Sequence, residues 1–96
     1  MSNTVTLHLS DCILTGVVDY NPDIHMLQLV DLTTGDSEVL SIDLPNVKPA
    51  SGCVFVKDYS EHSGLPEALA NAGVAEIVQA HRTGPYAAPV AEMKVL

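Results

Sequence analysis

The stretch HMLQLVDLTTGDSEVLSIDL, residues 25–44, contains two runs of alternating apolar and polar side chains around a turn. Leu27 and Leu29 lie on one side of the first run, and Leu40 and Ile42 lie on one side of the second. Successive side chains of a β-strand point to opposite faces, so each run predicts a half-buried strand. The sequence TTGDS between the runs holds a glycine that can adopt the positive φ of a hairpin turn. The stretch therefore predicts a β-hairpin.

Two further strand patterns precede this hairpin. The run TVTLHLS, residues 4–10, alternates, and the run ILTGVVDY, residues 13–20, is rich in β-branched side chains. Gly16 within the second run predicts a bend or a bulge, and the sequence NPD at residues 21–23 predicts a turn. Four short strands joined by short turns indicate an antiparallel meander. We expect it to bend into a small barrel, because closure removes open sheet edges.

Residues 49–96 predict one more strand, a short helix and two C-terminal strands. The helix would lie in SEHSGLPEALANAG, residues 60–73, with Ser63 as N-cap and a buried stripe of Leu65, Leu69 and Ala72. Residues 74–81 fit a strand or a continued helix, and we favour a strand because a glycine precedes them. In VAEMKVL, residues 90–96, the inward positions would be Ala91, Met93 and Val95, and the outward positions Glu92 and Lys94.

The composition limits the class of protein. Ninety-six residues make a single domain, 1–96, of mainly β or α+β class. The formal net charge is −8, and residues 1–50 hold seven carboxylates but only one basic side chain, Lys48. Nucleic-acid affinity depends on Lys and Arg that neutralise phosphates, so the charge disfavours a nucleic-acid partner.

Location and redox state have weaker signals. No apolar run approaches the length of a membrane span, and the N-terminal sequence has no basic start followed by an apolar core. We therefore expect a soluble protein that is cytoplasmic or otherwise intracellular, with no membrane partner. Cys12 and Cys53 lack metal-ligand spacing and are expected to be small buried thiols. A disulfide bond between them is the alternative.

The segment KDYSEHSG, residues 57–64, is the densest group of reactive side chains. Asp58, Glu61 and His62 could bind a metal, or Glu61 could orient His62 as a general base. A polar strand-to-helix turn with capping residues explains the same segment, and we favour that interpretation. We therefore expect no catalytic residue, metal site or cofactor. The sequence GPY at residues 84–86 fits an ordinary turn better than a docking loop with an exposed tyrosine.

Residues 4–48 combine a glycine at Gly16 in the second strand, an Asp-x-His-Met segment at residues 23–26 and an apolar fourth strand that ends near Asn46 and Val47. This pattern resembles an Sm-like (LSm) domain, a family whose bent five-strand barrels assemble into rings and bind single-stranded RNA. A barrel of SH3-like or tudor type would produce much of the same pattern. The matching positions are Val5, Leu7 and Leu9 in the first strand, Gly16, Val17 and Val18 in the second, Asp23, His25 and Met26 at the next turn, Leu27 and Leu29 in the third, Val39, Leu40 and Ile42 in the fourth, and Asn46 and Val47 at its end.

The chain departs from the family at the positions that contact RNA. Leu27 stands where the family has an asparagine, and Asp43-Leu44-Pro45 stands in place of an Arg-Gly pair. The resemblance therefore implies a divergent domain that does not bind RNA. It also implies that Asp23 accepts turn amides and that Met26 or Leu27 faces the core.

These observations predict a non-catalytic protein–protein interaction module or assembly subunit. It would bind a protein partner, or form a homo-oligomer, through a sheet edge. In the Sm-like family, subunits pair through the fourth and fifth strands. The alternative is a small enzyme or metal-binding protein that uses Asp58, Glu61 and His62.

Overall fold

The computed structural model describes residues 4–44 and 47–96, which form two four-stranded antiparallel sheets and one short helix. The first sheet has the order β1-β2-β3-β4, and the second has the order β5-β6-β8-β7. The strands are β1 (Thr4–His8), β2 (Ile13–Asn21), β3 (Met26–Val30), β4 (Ser37–Val39), β5 (Ser41–Ile42), β6 (Cys53–Lys57), β7 (Ala75–Thr83) and β8 (Ala88–Val95). A 3-10 turn at Ser60–His62 precedes the helix α1, Leu65–Asn71.

The predicted antiparallel meander is confirmed in the first sheet. Leu7, Leu27 and Leu29 are buried on its inner face, as the alternation predicts. Gly35 has φ 79° in the turn between β3 and β4, where a glycine is favoured. Gly16 pairs with Val5 in an unbroken register, so it marks a close approach of strands and not a bulge.

The predicted fourth strand, residues 38–44, is wrong as a single element. It divides at the buried Leu40 into β4, which pairs with β3, and β5, which pairs with β6. The main chain of Leu27 holds the division, because its C=O accepts the Leu40 N–H at 2.7 Å and its N–H donates to Ser41 Oγ at 2.9 Å. Ser41 is therefore buried, whereas the alternation placed it outward. Pro45 and Asn46, at the predicted end of this strand, lie outside the described residues.

The closed barrel that we expected is not found among the described residues. The kink at Leu40 joins the two sheets, so β1 and β7 lie at the two ends of the series of strands. Helix α1 contacts both end strands and β6. The buried Leu65 and Leu69 of α1 pack into the same core as Leu7. The coarser prediction of a mainly β, antiparallel domain with a short C-terminal helix is confirmed.

The helix differs in detail from its prediction. Ser63 is not the N-cap, because that position is Gly64, with φ 88°, whose N–H donates to Asp58 Oδ1 at 2.7 Å. Ala72 lies beyond the last helical residue and is exposed, and Ala68 is buried in its place. In the part of the chain that is described, α1 is the sole α-helix, and its seven residues are too few to cross a bilayer.

The C-terminal strands follow the prediction with one exception. Residues 75–83 form β7, as favoured, and Ala91 and Met93 of β8 are buried. Glu92 was expected to face solvent but is buried, with 8% of its surface exposed. The reason is a long-range contact, because Glu92 Oε2 accepts the N–H of Ala50 in the loop before β6.

Candidate functional site

The three reactive candidates, Asp58, Glu61 and His62, are held by three different partners. Asp58 accepts the Gly64 N–H that opens α1. Glu61 is exposed, and its carboxylate lies 2.6 Å from Lys57 Nζ. This ion pair lowers the pKa of Glu61 below its usual value. The contacts fit the structural interpretation of this segment as a capped strand-to-helix turn.

His62 is the buried member of the segment and connects the 3-10 turn to the first sheet. Its Nε2 lies 3.1 Å from Glu38 Oε2 of β4, while its Nδ1 is buried without a hydrogen-bond partner in the described structure. Across residues 4–44 and 47–96, no group of three or more His, Cys, Asp and Glu side chains has an arrangement that could hold a metal ion. The geometry therefore supplies no donor set for the metal-binding alternative.

The segment that carries the family resemblance has a structural role at its turn. The sequence suggested that Asp23 accepts the N–H groups of this turn. In the structure the Asp23 N–H donates to Asn21 Oδ1 at 3.1 Å, so the side-chain acceptor in this hydrogen bond is Asn21. His25 has φ 50°, and its Nδ1 lies 3.0 Å from the C=O of Cys53 in the second sheet. Leu27 is fully buried, as expected for one of the two candidate core residues, and presents no polar group to a base.

The buried Glu92 and the partly buried His81 form a pair that the sequence did not indicate. His81 Nε2 lies 3.0 Å from Glu92 Oε1, and the His81 ring packs edge-on against Phe55, with centroids 5.1 Å apart. The Ala50 N–H and then His81 hold the pKa of Glu92 below its usual value, although burial opposes this effect. Charge-assisted hydrogen bonds are stronger than neutral ones, so Glu92 fastens the loop at Ala50 to β8.

The two cysteines differ in environment. Both are free thiols, and Cys53 is buried, as expected. Burial, with a smaller contribution from the Glu92 carboxylate, raises the pKa of Cys53 above its usual value. Cys12 is exposed, so the expectation of a buried thiol is wrong there, because Cys12 lies in the turn between β1 and β2.

The open edge of β7 is the most extensive candidate interaction surface. β7 has nine residues and pairs with β8, and no other described strand pairs with its second side. Residues 76–80 are all exposed, including Ile77 at 52% and Val78 at 51%. The register shifts by one residue between Ile77 and Gln79, so a bulge separates the first part of the edge from the regular run Gln79–Thr83. Bulges protect edges from indiscriminate pairing, and the regular run is the part suited to accept a strand.

The main-chain groups of this regular run can be assigned to a side. The Asp58 N–H donates to the C=O of Pro89 at 3.0 Å, so Pro89 directs its main-chain oxygen toward β6. Pro89 lies opposite Arg82 of β7, and Ala91 lies opposite Ala80. Residues of an antiparallel pair alternate between bonded and non-bonded positions. Arg82 and Ala80 therefore direct their N–H and C=O groups away from β8, along the open edge.

A hollow of about 190 Å³ adjoins the open edge. Ile77 and Ala80 of β7, Pro66 of α1 and Ala91 of β8 supply its apolar lining. Asp58 and Arg82 also contribute to its wall, and the Arg82 guanidinium donates to the C=O of Ala87. A strand paired with β7 would have such a hollow beside it for an apolar side chain.

The other edges offer less. β4 and β5 have three and two residues, and β1 has five. β6, the predicted fifth strand, is interior, because it pairs with β5 on one side and β8 on the other. The described residues therefore leave no free edge on the fifth strand, through which Sm-like subunits pair. In the second sheet β8 lies between β6 and β7, although β7 precedes β8 in the sequence. This strand order leaves β7 at the edge of the sheet.

Another hollow, about 260 Å³, adjoins the first sheet, and three carboxylates contribute to its lining, Asp31, Asp36 and Glu38. Asp31 accepts the N–H of Thr33 at 2.8 Å, and Glu38 binds His62. These two carboxylates thus have roles in folding. The edge strand beside this hollow, β4, has only three residues, which is short for pairing with a partner strand.

Comparison with protein-family models, with curated proteins and with solved structures found no match for this chain.

Proposed function

We propose that the protein is a non-catalytic interaction module that binds a protein strand along the open edge of β7. The observation that supports this proposal is the regular run Gln79–Thr83, which carries two sets of outward main-chain groups that no other described strand pairs with, beside an apolar hollow. In strand addition, main-chain hydrogen bonds supply affinity and side-chain hollows supply specificity. The edge of β7 has both features.

The charge of the molecule supports a protein partner over a nucleic acid. Residues 4–44, which form the first sheet and β5, carry seven carboxylates and no Lys or Arg. Their field repels phosphates, and salt would screen that repulsion without reversing it. The resemblance to Sm-like domains stays a prediction, and in this proposal it concerns the bent sheet and not RNA recognition.

The enzyme alternative has weaker support. Catalytic side chains must be arranged in a pocket so that they can reach the same reacting group. Asp58, Glu61 and His62 instead contact Gly64, Lys57 and Glu38. Each contact has a role in folding, so the arrangement favours the interaction module.

The edge can be tested by a substitution that removes one hydrogen-bond donor. Proline at an outward position of an edge strand costs little folding stability, because it removes no ladder hydrogen bond. Ala80→Pro therefore removes a free N–H from the edge, and Ala80→Ser is the matched control that keeps it. Circular dichroism and thermal unfolding would verify that both variants fold.

The probe is a displayed library of extended peptides with alternating apolar and polar residues, selected on the wild-type protein. We expect selected peptides to bind the wild type and Ala80→Ser with similar affinity, and Ala80→Pro about tenfold more weakly or worse, since a hydrogen bond and a strand's steric fit are lost. Equal binding to wild type and Ala80→Pro would contradict the proposal. Failure of the selection to yield any peptide that binds would count against it equally.

A further inference from the structure

We propose that the strand accepted by β7 is β7 of a second copy of this chain, and that the two copies form a two-fold antiparallel dimer centred on His81. This inference rests on the proposed function, because it uses the same open edge, and it adds the identity of the partner. An isologous interface uses the same patch on both copies, so the patch must complement itself. Three properties of the β7 edge meet this condition.

The first property is the spacing of the outward main-chain groups. Ala80 and Arg82 point outward and are separated by one residue, His81. When a second strand runs antiparallel and His81 faces His81, each Ala80 lies opposite Arg82 of the second copy. Residues that face each other in this way exchange N–H and C=O hydrogen bonds. The two-fold register thus satisfies the outward groups of both copies.

The second property is the apolar match beyond the paired run. β7 ends at Thr83 and is followed by a turn at residues 84–87, in which Tyr86 is 93% exposed. In the two-fold register, the turn of each copy lies alongside Ile77 and Val78 of the other copy. These two side chains are about half exposed, and the hollow begins at Ile77. Tyrosine contributes large contact area with little loss of rotamer entropy, which is why it is common at the centre of interfaces.

The third property is the distribution of charge. Each copy carries a formal charge of −8, which opposes association. The carboxylates are concentrated in the first sheet, whereas β7 has one acid, Glu76, and one permanent base, Arg82. With one acid and one permanent base, β7 carries no formal net charge of its own, so pairing along it adds little local repulsion between two copies. The residual repulsion acts over distance, so salt should strengthen the dimer.

The bulge between Ile77 and Gln79 makes the assembly closed. It interrupts the regular edge, so pairing extends over Gln79–Thr83 and does not continue along the strand. After two copies have paired, the regular run of each is occupied. We therefore expect a dimer and not a growing sheet.

The experiment is sedimentation velocity of the full chain over a range of protein concentrations, at about 20 mM and at about 500 mM salt. We expect the wild type to form a dimer that dissociates on dilution and that tightens several-fold at the higher salt. Ala80→Pro should be monomeric. Tyr86→Ala should weaken the dimer about tenfold, while Ile24→Ala, which removes an exposed apolar side chain from the first sheet, should have no effect.

A wild type that stays monomeric at the highest concentrations would overturn the dimer. A dimer of the same strength in Ala80→Pro would also overturn it, because the interface would lie elsewhere. The peptide experiment decides the broader proposal separately. A monomeric wild type that binds selected peptides at β7 would leave the interaction module intact with a different partner.

Discussion

Gly16→Ala is expected to destabilise the protein strongly, because β2 and β3 approach each other too closely for a side chain at this position. An added Cβ would lie 2.3 Å from the Val30 O, 2.8 Å from its C and 3.2 Å from Leu29 Cγ. An ordinary contact begins at 3.4 Å, so the two strands would have to separate by about 1 Å. The obstacle is main chain and cannot be relieved by a rotamer change. Overpacking of this kind costs about 3 kcal/mol, and the lower backbone entropy of alanine returns less than about 1 kcal/mol. We expect a net loss of about 2 kcal/mol.

Thermal and urea unfolding measure this loss. For a domain of this size the loss corresponds to a fall in Tm of roughly 8 to 16 °C. Gly35→Ala is the matched control, because its Cβ would meet nothing within 4 Å and only the positive φ of 79° is unfavourable. That control should lose about 1 kcal/mol. If Gly16→Ala is as stable as the wild type, or as stable as Gly35→Ala, the inferred close approach of β2 and β3 is refuted.

Two further predictions concern the buried polar and thiol groups. Glu92→Gln should lower the free energy of unfolding at neutral pH by about 2 kcal/mol, because hydrogen bonds to a charged acceptor are replaced by neutral ones. The folded-state pKa of Glu92 lies below its usual 4.5, so its contribution is complete above 4.5 and is lost as the pH falls through the lowered pKa. Urea unfolding at several pH values should show the difference between wild type and variant narrowing in acid, and a constant difference would contradict this origin. A thiol reagent should modify Cys12 rapidly in the native state and Cys53 only after unfolding. The reason is that Cys12 is exposed, whereas Cys53 is buried and has a raised pKa. Rapid reaction of both thiols in the folded protein would contradict the burial of Cys53.

Local patterns predicted much of the first sheet. Leu27 and Leu29 alternate with more polar neighbours, and the period of two is a property of the strand itself. The division at Leu40 could not be predicted, because it depends on Ser41 Oγ replacing a main-chain partner of Leu27. The burial of Glu92 likewise depends on Ala50, 42 residues away in the chain.

The sequence predicted that a sheet edge would be the interaction surface, but it did not predict that β7 would supply this edge. The family resemblance directed attention to the fourth and fifth strands. The fifth strand is interior, because β8 passes between β6 and β7 and leaves β7 outermost. This order is set by pairing between distant parts of the chain. The bulge at Val78, which limits the usable edge, also has no signal in a sequence without glycine there.

Amide hydrogen exchange at increasing protein concentration tests most directly the central claim that two copies of this chain pair through the β7 edge. The N–H groups of Ala80 and Arg82 point along that edge, and the N–H of Thr6 points along the edge of β1 by the same alternation. If two copies pair through β7, exchange at Ala80 and Arg82 slows as the concentration rises, while exchange at Thr6 does not change. Exchange at Ala80 and Arg82 that is independent of concentration would contradict the claim.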